Sequence, residues 1–156
     1  MNFPYLKVLD FLQHKKRERI LPWIRFGVFN SKNKNNIIYP IGLVDSGSEL
    51  SFMNNEIGEA LGLDIKSGKQ VEVAGVGGGK LTVYLHKLNL VIEDPNSEEE
   101  AIVFEDVIGF TNVSFSATMP QQTAILGTMG FFRNLDVMFS YPNYIGIINK
   151  TNKVSN

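Results

Sequence analysis

The stretch Leu43-Val44-Asp45-Ser46-Gly47-Ser48 decides how this chain is read. An apolar run, Ile41 to Val44, ends abruptly in an acid, a small polar residue and a glycine. Such a run reads as a buried strand. Asp-Ser-Gly reads as a tight turn that holds a carboxylate at the strand's end. Gly47 lets the backbone turn and lets another segment come close with no side chain in the way. Far downstream a second apolar strand, Ala124-Ile125-Leu126, also ends in glycine, at Gly127. An Asp-Ser-Gly turn alone is common on protein surfaces. Followed by this second strand, it is a candidate site.

Outward from the turn, the pattern is of short strands. Pro22 introduces 23–29, a mix of aromatic and branched residues that predicts a strand. The polar run 30–36 predicts a hairpin loop and 37–44 the returning strand, with Pro40 and Gly42 marking an edge or a bulge. Within 52–63 a helical turn or two is expected, capped by Asn54 or Asn55 and closed by Gly62. Val71 to Ala74 and the alternating Leu81 to His86, continued by Leu88 to Ile92, predict two strands. Between them lies the glycine-rich tip Gly75-Val76-Gly77-Gly78-Gly79. This tip is no phosphate loop, because it lacks the Gly-Lys-Ser/Thr ending and a strand follows it.

After the turn Asp94-Pro95-Asn96-Ser97, a strand is expected over 101–108. A short helix is expected over 128–135, with Phe132 and Leu135 facing inward. A closing hairpin of 137–139 and 144–148 then turns about Pro142-Asn143. The first residues read two ways. Leu6, Val8, Leu9 and Leu12 favour a short helix over 5–19, and Phe3 to Val8 reads alternatively as a strand. Short strands with turn signals about every ten residues predict an all-β, barrel-like domain.

The chain has 156 residues, 44% of them hydrophobic, enough for one domain with a sizeable core. It has no cysteine, hence no disulfide framework, thiol nucleophile or thiolate metal site. That composition suits a reducing compartment. His14 and His86 lie far apart in sequence and read as surface or interface residues. Without cysteine or clustered histidine, no metal and no cofactor is expected.

A net charge of −1 argues against a polyanionic partner. The basic cluster Lys15, Lys16, Arg17 and Arg19 has no aromatic interleaving and reads as a solvated face, so no nucleic acid is expected. Glu98-Glu99-Glu100 and Glu105-Asp106 form acidic counterparts. Pro4, Lys7 and Asp10 interrupt the first apolar stretch, so no leader is read. The longest uncharged run, 107–132, is too rich in Ser, Thr, Asn and Gln for a membrane span. The expectation is a soluble, cytoplasmic chain.

Asp45-Ser46-Gly47-Ser48, Ala124-Ile125-Leu126-Gly127 and the glycine-rich hairpin between them resemble the retropepsin-like aspartic proteases, the single-lobe relatives of pepsin. The resemblance spans 22–149 and leaves 1–21 as an N-terminal extension and 150–156 as a polar tail. It implies an all-β, single-lobe, acid-protease-like closed barrel with one short C-terminal helix. It implies a flap at Gly75, Val76, Gly77, Gly78 and Gly79. Asp45 takes the catalytic role. Ser46 directs its hydroxyl across a two-fold axis, Gly47 permits close approach, and Ser48 donates to the Asp45 carboxylate. Ile125, Leu126 and Gly127 form the neighbouring core strand.

The motif occurs once, and the family's chemistry needs two carboxylates. The resemblance therefore implies a homodimer with the active site on its axis, cleaving an extended peptide or protein. Viral members pair an acid two residues past the motif glycine with a basic residue after the second glycine. Here Glu49 holds the acid position, Thr128 holds the basic one, and Arg133 lies further along. This departure implies a second reading, a protease-like domain that binds peptides or dimerises with little or no turnover.

Overall fold

The computed structural model describes residues 1–12, 15–74, 79–94, 96–111 and 121–150. The opening residues are strands: β1 (Asn2–Pro4), β2 (Leu6–Leu12) and β3 (Lys15–Leu21). β2 and β3 pair antiparallel from Leu6↔Leu21 to Leu12↔Lys15. The helix expected over 5–19 is thereby overturned. Leu6, Leu9 and Leu12 recur every three residues, a spacing that drifts off one helix face. The segment 15–21 instead offers a full ladder of backbone partners.

One long hairpin follows, and it is bent. Its first arm is β4 (Trp23–Arg25) and β5 (Gly27–Asn30), interrupted at Phe26. Its second arm is β6 (Asn33–Ile38) and β7 (Ile41–Val44), interrupted at Tyr39-Pro40. Each arm was expected as one continuous strand. Pro40 lacks an N–H and breaks the second ladder, and its carbonyl accepts the Phe26 N–H at 3.3 Å across the bend. The expected loop 30–36 shrinks to a turn at Ser31-Lys32, because the polar residues from Asn33 onward join a solvent-facing edge strand.

The chain continues through β8 (Ser51–Asn54) and the short helix α1 (Asn55–Ala60). The helix is closed by Gly62, at a positive φ of 74°. A 3-10 turn at Ile65–Ser67 leads to β9 (Lys69–Ala74), β10 (Lys80–Ile92) and β11 (Ile102–Thr111). Next come β12 (Ala124–Leu126), a π-helical turn over Thr128–Phe132, β13 (Leu135–Ser140) and β14 (Tyr144–Asn149). Phe131 and Leu135 are buried, while Phe132 is only half-buried. The wide turn thus buries Phe131 fully and packs Phe132, expected to face inward, against the edge of the core.

β1, β14 and β13 form a small sheet. The main sheet runs β4-β7-β12-β8-β11-β10-β5-β6, with β9 also on β10. Its two ends, β4-β7 and β5-β6, are halves of the same bent hairpin. The sheet must therefore curl round on itself, and it encloses a core that includes Phe26, Met53, Leu90, Phe110 and Leu126. Among the described residues no helix is long and apolar enough to cross a membrane.

Phe26 sits at the bend and is 0% exposed. Phe26→Ala should lower unfolding stability by about 3–5 kcal/mol. Val103→Ala, at a side chain 54% exposed, should stay within about 0.5 kcal/mol. Denaturant titration of both variants checks this; equal midpoints would contradict the packing at the bend.

Candidate active site

β12 is inserted between the two strands that the Asp45 turn connects. On one side it runs parallel to β7, with Ile125↔Leu43 and Leu126↔Val44. On the other it runs antiparallel to β8, with Ala124↔Met53 and Ile125↔Phe52. The segment 45–50 therefore arches over the end of β12. The Leu126 carbonyl accepts the Asp45 N–H at 3.1 Å.

The chain leaves from under this arch through Gly127. A Cβ there would run into the Leu50 carbonyl and the Ser51 nitrogen, so only glycine fits. The next residues bind the far side of the arch. The Thr128 and Met129 amides donate to the Ser48 and Glu49 carbonyls, each at 2.9 Å. The Thr128 hydroxyl also donates to the Glu49 carbonyl at 3.4 Å. Position 128 thus meets Glu49 only through its hydroxyl on the Glu49 carbonyl, while its amide binds Ser48.

Within the turn, the Gly47 N–H donates to Asp45 Oδ1 at 2.9 Å and the Ser48 N–H to the Asp45 carbonyl at 3.2 Å. The Ser48 hydroxyl donates to the Leu50 carbonyl at 2.7 Å, not to the Asp45 carboxylate as expected. A hydroxyl has one hydrogen to give, and the arch brings the Leu50 carbonyl to it. Asp45 is half-buried and Ser46 is exposed.

Asp45 lines an open cleft of about 660 Å³ together with Gly47, Phe52, Val73, Ala74 and Leu81. Val73 and Leu81 are partners in the β9–β10 hairpin, which is clamped near its end by a Lys80–Glu72 ion pair at 3.1 Å. The base of the glycine-rich hairpin therefore faces Asp45 across the cleft. Gly75, Val76, Gly77 and Gly78 lie outside the described residues; Gly79, at the base, is exposed.

Beneath the arch lies a polar cluster that sequence reading missed. Ser51 and Asp106 are 0% and 5% exposed. The Ser51 hydroxyl donates to Asp106 Oδ2 at 2.7 Å and accepts the Gly127 N–H at 3.1 Å. The Val107 N–H donates to Asp106 Oδ1 at 2.7 Å. The carboxylate lies where a side chain at Gly130 would project. Burial pushes the Asp106 carboxyl above its ordinary value of 3.8, against the pull of the Ser51 and Val107 hydrogen bonds. The signal was in the alternation of β11: Phe104, Asp106, Ile108 and Phe110 share one face, so Asp106 turns inward with them.

A ring nitrogen of His86 lies 2.8 Å from the Ile65 carbonyl, and the ring packs edge-on against Phe110. It braces the 3-10 turn. His14 falls outside the described residues. Among the described residues, no group of three or more His, Asp or Glu side chains is placed to hold a metal ion.

No family model matches the chain, and no curated protein does. Solved structures do. A retropepsin-like aspartic protease from Rickettsia conorii superposes with a TM-score of 0.53 at 14% identity, covering 90% of this chain and 98% of that one. The retroviral protease-like domain of Ddi1 from Leishmania major gives a TM-score of 0.45 at 15% identity, covering 85% and 97%. EIAV protease in complex with the inhibitor HBY-793 gives 0.38 at 16% identity, covering 69% and 81%. The fold assignment rests on the first. The chain has the all-β fold of a retropepsin-like aspartic protease, so the resemblance read from the sequence holds at the level of the fold.

Gly127→Ala should destabilise the chain by about 1–3 kcal/mol or more, because backbone must move to admit the methyl group. Gly79→Ala meets no atom within 4 Å and should stay within about 1 kcal/mol of wild type. Thermal unfolding of the pair separates a steric requirement from mere loss of chain entropy.

Asp106 makes a second expectation, with a definite sign. The folded chain holds this proton more tightly than the unfolded one. Its contribution to stability is therefore fully present below 3.8 and is lost as pH rises through the raised value. Wild-type stability relative to Asp106→Asn should fall across that window and then level off. Urea midpoints of both proteins measured against pH check this, and a relative stability that rises across the window would contradict it.

Proposed function

We propose that two copies of this chain form an aspartic endopeptidase with its active site between their Asp45 turns. The observation that carries this reading is the Asp45 carboxylate. It is held at the end of a core strand by the Gly47 N–H and lines an open cleft beneath the hairpin base. One such carboxylate is half of an acid–base pair, and closed two-fold symmetry supplies the other half.

Two carboxylates about 3 Å apart share one proton. The ionised member takes a proton from the water between them as that water attacks the peptide carbonyl. The protonated member gives its proton to the carbonyl oxygen, and a tetrahedral diol forms. Proton transfer in the opposite sense onto the leaving nitrogen then breaks the C–N bond. No acyl-enzyme forms, and neither metal nor cofactor takes part. Exposed Ser46, at the tip of the turn, reaches toward the partner's turn in this assembly.

The substrate is an extended peptide or protein segment lying along the cleft as an added strand. Its side chains meet Phe52, Val73, Leu81 and Ile125, so apolar residues are favoured. Gly75, Val76, Gly77, Gly78 and Gly79 act as the flap, closing over the peptide and excluding water. A reducing, cytoplasmic setting suits a chain without cysteine. Thr128 at the position of the viral basic residue favours a second reading, a domain that binds peptide or dimerises with little turnover.

Asp45→Asn keeps the size of the side chain and removes both acid and base. Peptide hydrolysis should fall by at least about 10²–10⁴-fold, and wild-type kcat/KM should be bell-shaped in pH. A peptide-library cleavage assay in the acid range measures both. Hydrolysis by Asp45→Asn at the wild-type rate would end the reading, and peptide binding without cleavage by wild type would select the second one.

A further inference from the structure

Asp106 is a buried carboxylate that the proposed chemistry does not use. It lies on β11, bonds its own neighbour Val107 and touches two other parts of the fold, β8 and the π-helical turn. Its Oδ2 accepts from Ser51 on β8, its Oδ1 accepts from the Val107 amide, and its carboxylate packs where Gly130 of the π-helical turn has no side chain. Ser51 passes the connection on. Its oxygen accepts the Gly127 N–H, and the preceding residue, Leu126, holds the Asp45 amide. A chain of hydrogen bonds thus runs from Asp106 through Ser51 and the end of β12 to Asp45.

The chain closes only for one protonation state. Three donors converge here: the Ser51 hydroxyl and the Val107 and Gly127 amides. Three acceptors meet them: the two Asp106 oxygens and the Ser51 oxygen. A proton on Asp106 adds a fourth donor and weakens one of the acceptors. One donor in the set must then find another partner, a cost that relief of the buried charge outweighs in the folded chain. Finding that partner requires Ser51 to turn or Gly127 to move, and both bear on the arch.

We propose that Asp106 is a positioning residue for the Asp45 turn, holding it in register only as the carboxylate, so that hydrolysis carries an acid-side dependence from outside the Asp45 pair. The proposal rests on the peptidase reading of Asp45. Among the described residues, the charged groups that line the cleft beside Asp106 are Lys87 on β10, Glu105 on β11, and Arg133 after the π-helical turn. Lys87 and Glu105 pair with each other at 3.2 Å.

Asp106→Asn removes the charge and leaves one acceptor oxygen beside N–H donors at every pH. It should lower kcat about ten- to a hundredfold, as expected for a displaced catalytic group, with KM within about twofold. It should also remove one inflection from the acid limb of the wild-type pH profile. Glu105→Gln, at the exposed neighbouring carboxylate, should leave that inflection in place. A second readout needs no turnover. In NMR titrations of wild type, the Gly127 and Asp45 amide shifts should follow the Asp106 carboxyl, and Asp106→Asn should abolish that common transition. Amides that stay silent while Asp106 titrates, an unchanged transition in Asp106→Asn, or an acid limb that keeps its shape in that variant would overturn the proposal. Absence of wild-type cleavage would sink the peptidase reading instead, and the amide titration would then decide the linkage alone.

Discussion

Strand β12 passes between β7 and β8, and the chain that joins those two strands must arch over its end. The rest of the site follows from this insertion. The arch needs a residue beneath it with no side chain, which is Gly127, against the Leu50 carbonyl. It needs its exposed peptide groups satisfied. The Leu126 carbonyl, the Thr128 and Met129 amides and the Ser48 hydroxyl do this. The position of the Asp45 carboxylate is consequently set by backbone packing in the middle of a curled sheet, not by a free surface loop. Groups held on rigid elements keep the precision that acid–base chemistry requires.

The curled, half-barrel sheet supports this arrangement because its two ends are joined by one continuous hairpin. β4-β7 carries the Asp45 turn at one end of the sheet, and β5-β6 continues the same hairpin at the other end. A shift at the bend near Phe26 and Pro40 would therefore be felt at both ends. The small β1-β14-β13 sheet packs onto this body through Phe3, Ile145 and Ile147 in the shared core.

The parts of this structure that were legible in the sequence are those specified locally or by strict alternation. Asp45 to Gly47 announced a turn because Asp and Gly each have a backbone reason to be there. Leu81 to Ile92 announced a strand by its period of two, and the closing hairpin announced itself by Pro142-Asn143 between apolar runs. The likeness of Ala124 to Gly127 to a known strand linked two distant segments that no local rule could link. What stayed hidden depended on partners elsewhere. The β2 and β3 strands exist because each finds the other, and the break at Phe26 makes sense only once Pro40 lies opposite it. The Ser48 hydroxyl turned to a main-chain carbonyl that the arch delivers, which no motif spells out. Asp106 was noted with Glu105 only as an acidic pair, although the alternation that buries Ile108 and Phe110 buries it too.

A lone Asp45 turn contains one carboxylate where the proposed aspartic-peptidase chemistry uses two, the second coming from another copy of the chain. Subunit mixing tests this most directly. Wild type is equilibrated with increasing Asp45→Asn at constant total protein, and peptide cleavage is followed against the wild-type fraction. If each active site requires Asp45 from both subunits, activity should fall as the square of that fraction, because only wild-type pairs turn over. Activity falling in direct proportion to the wild-type fraction would mean that each chain works alone, and would contradict the shared carboxylate pair.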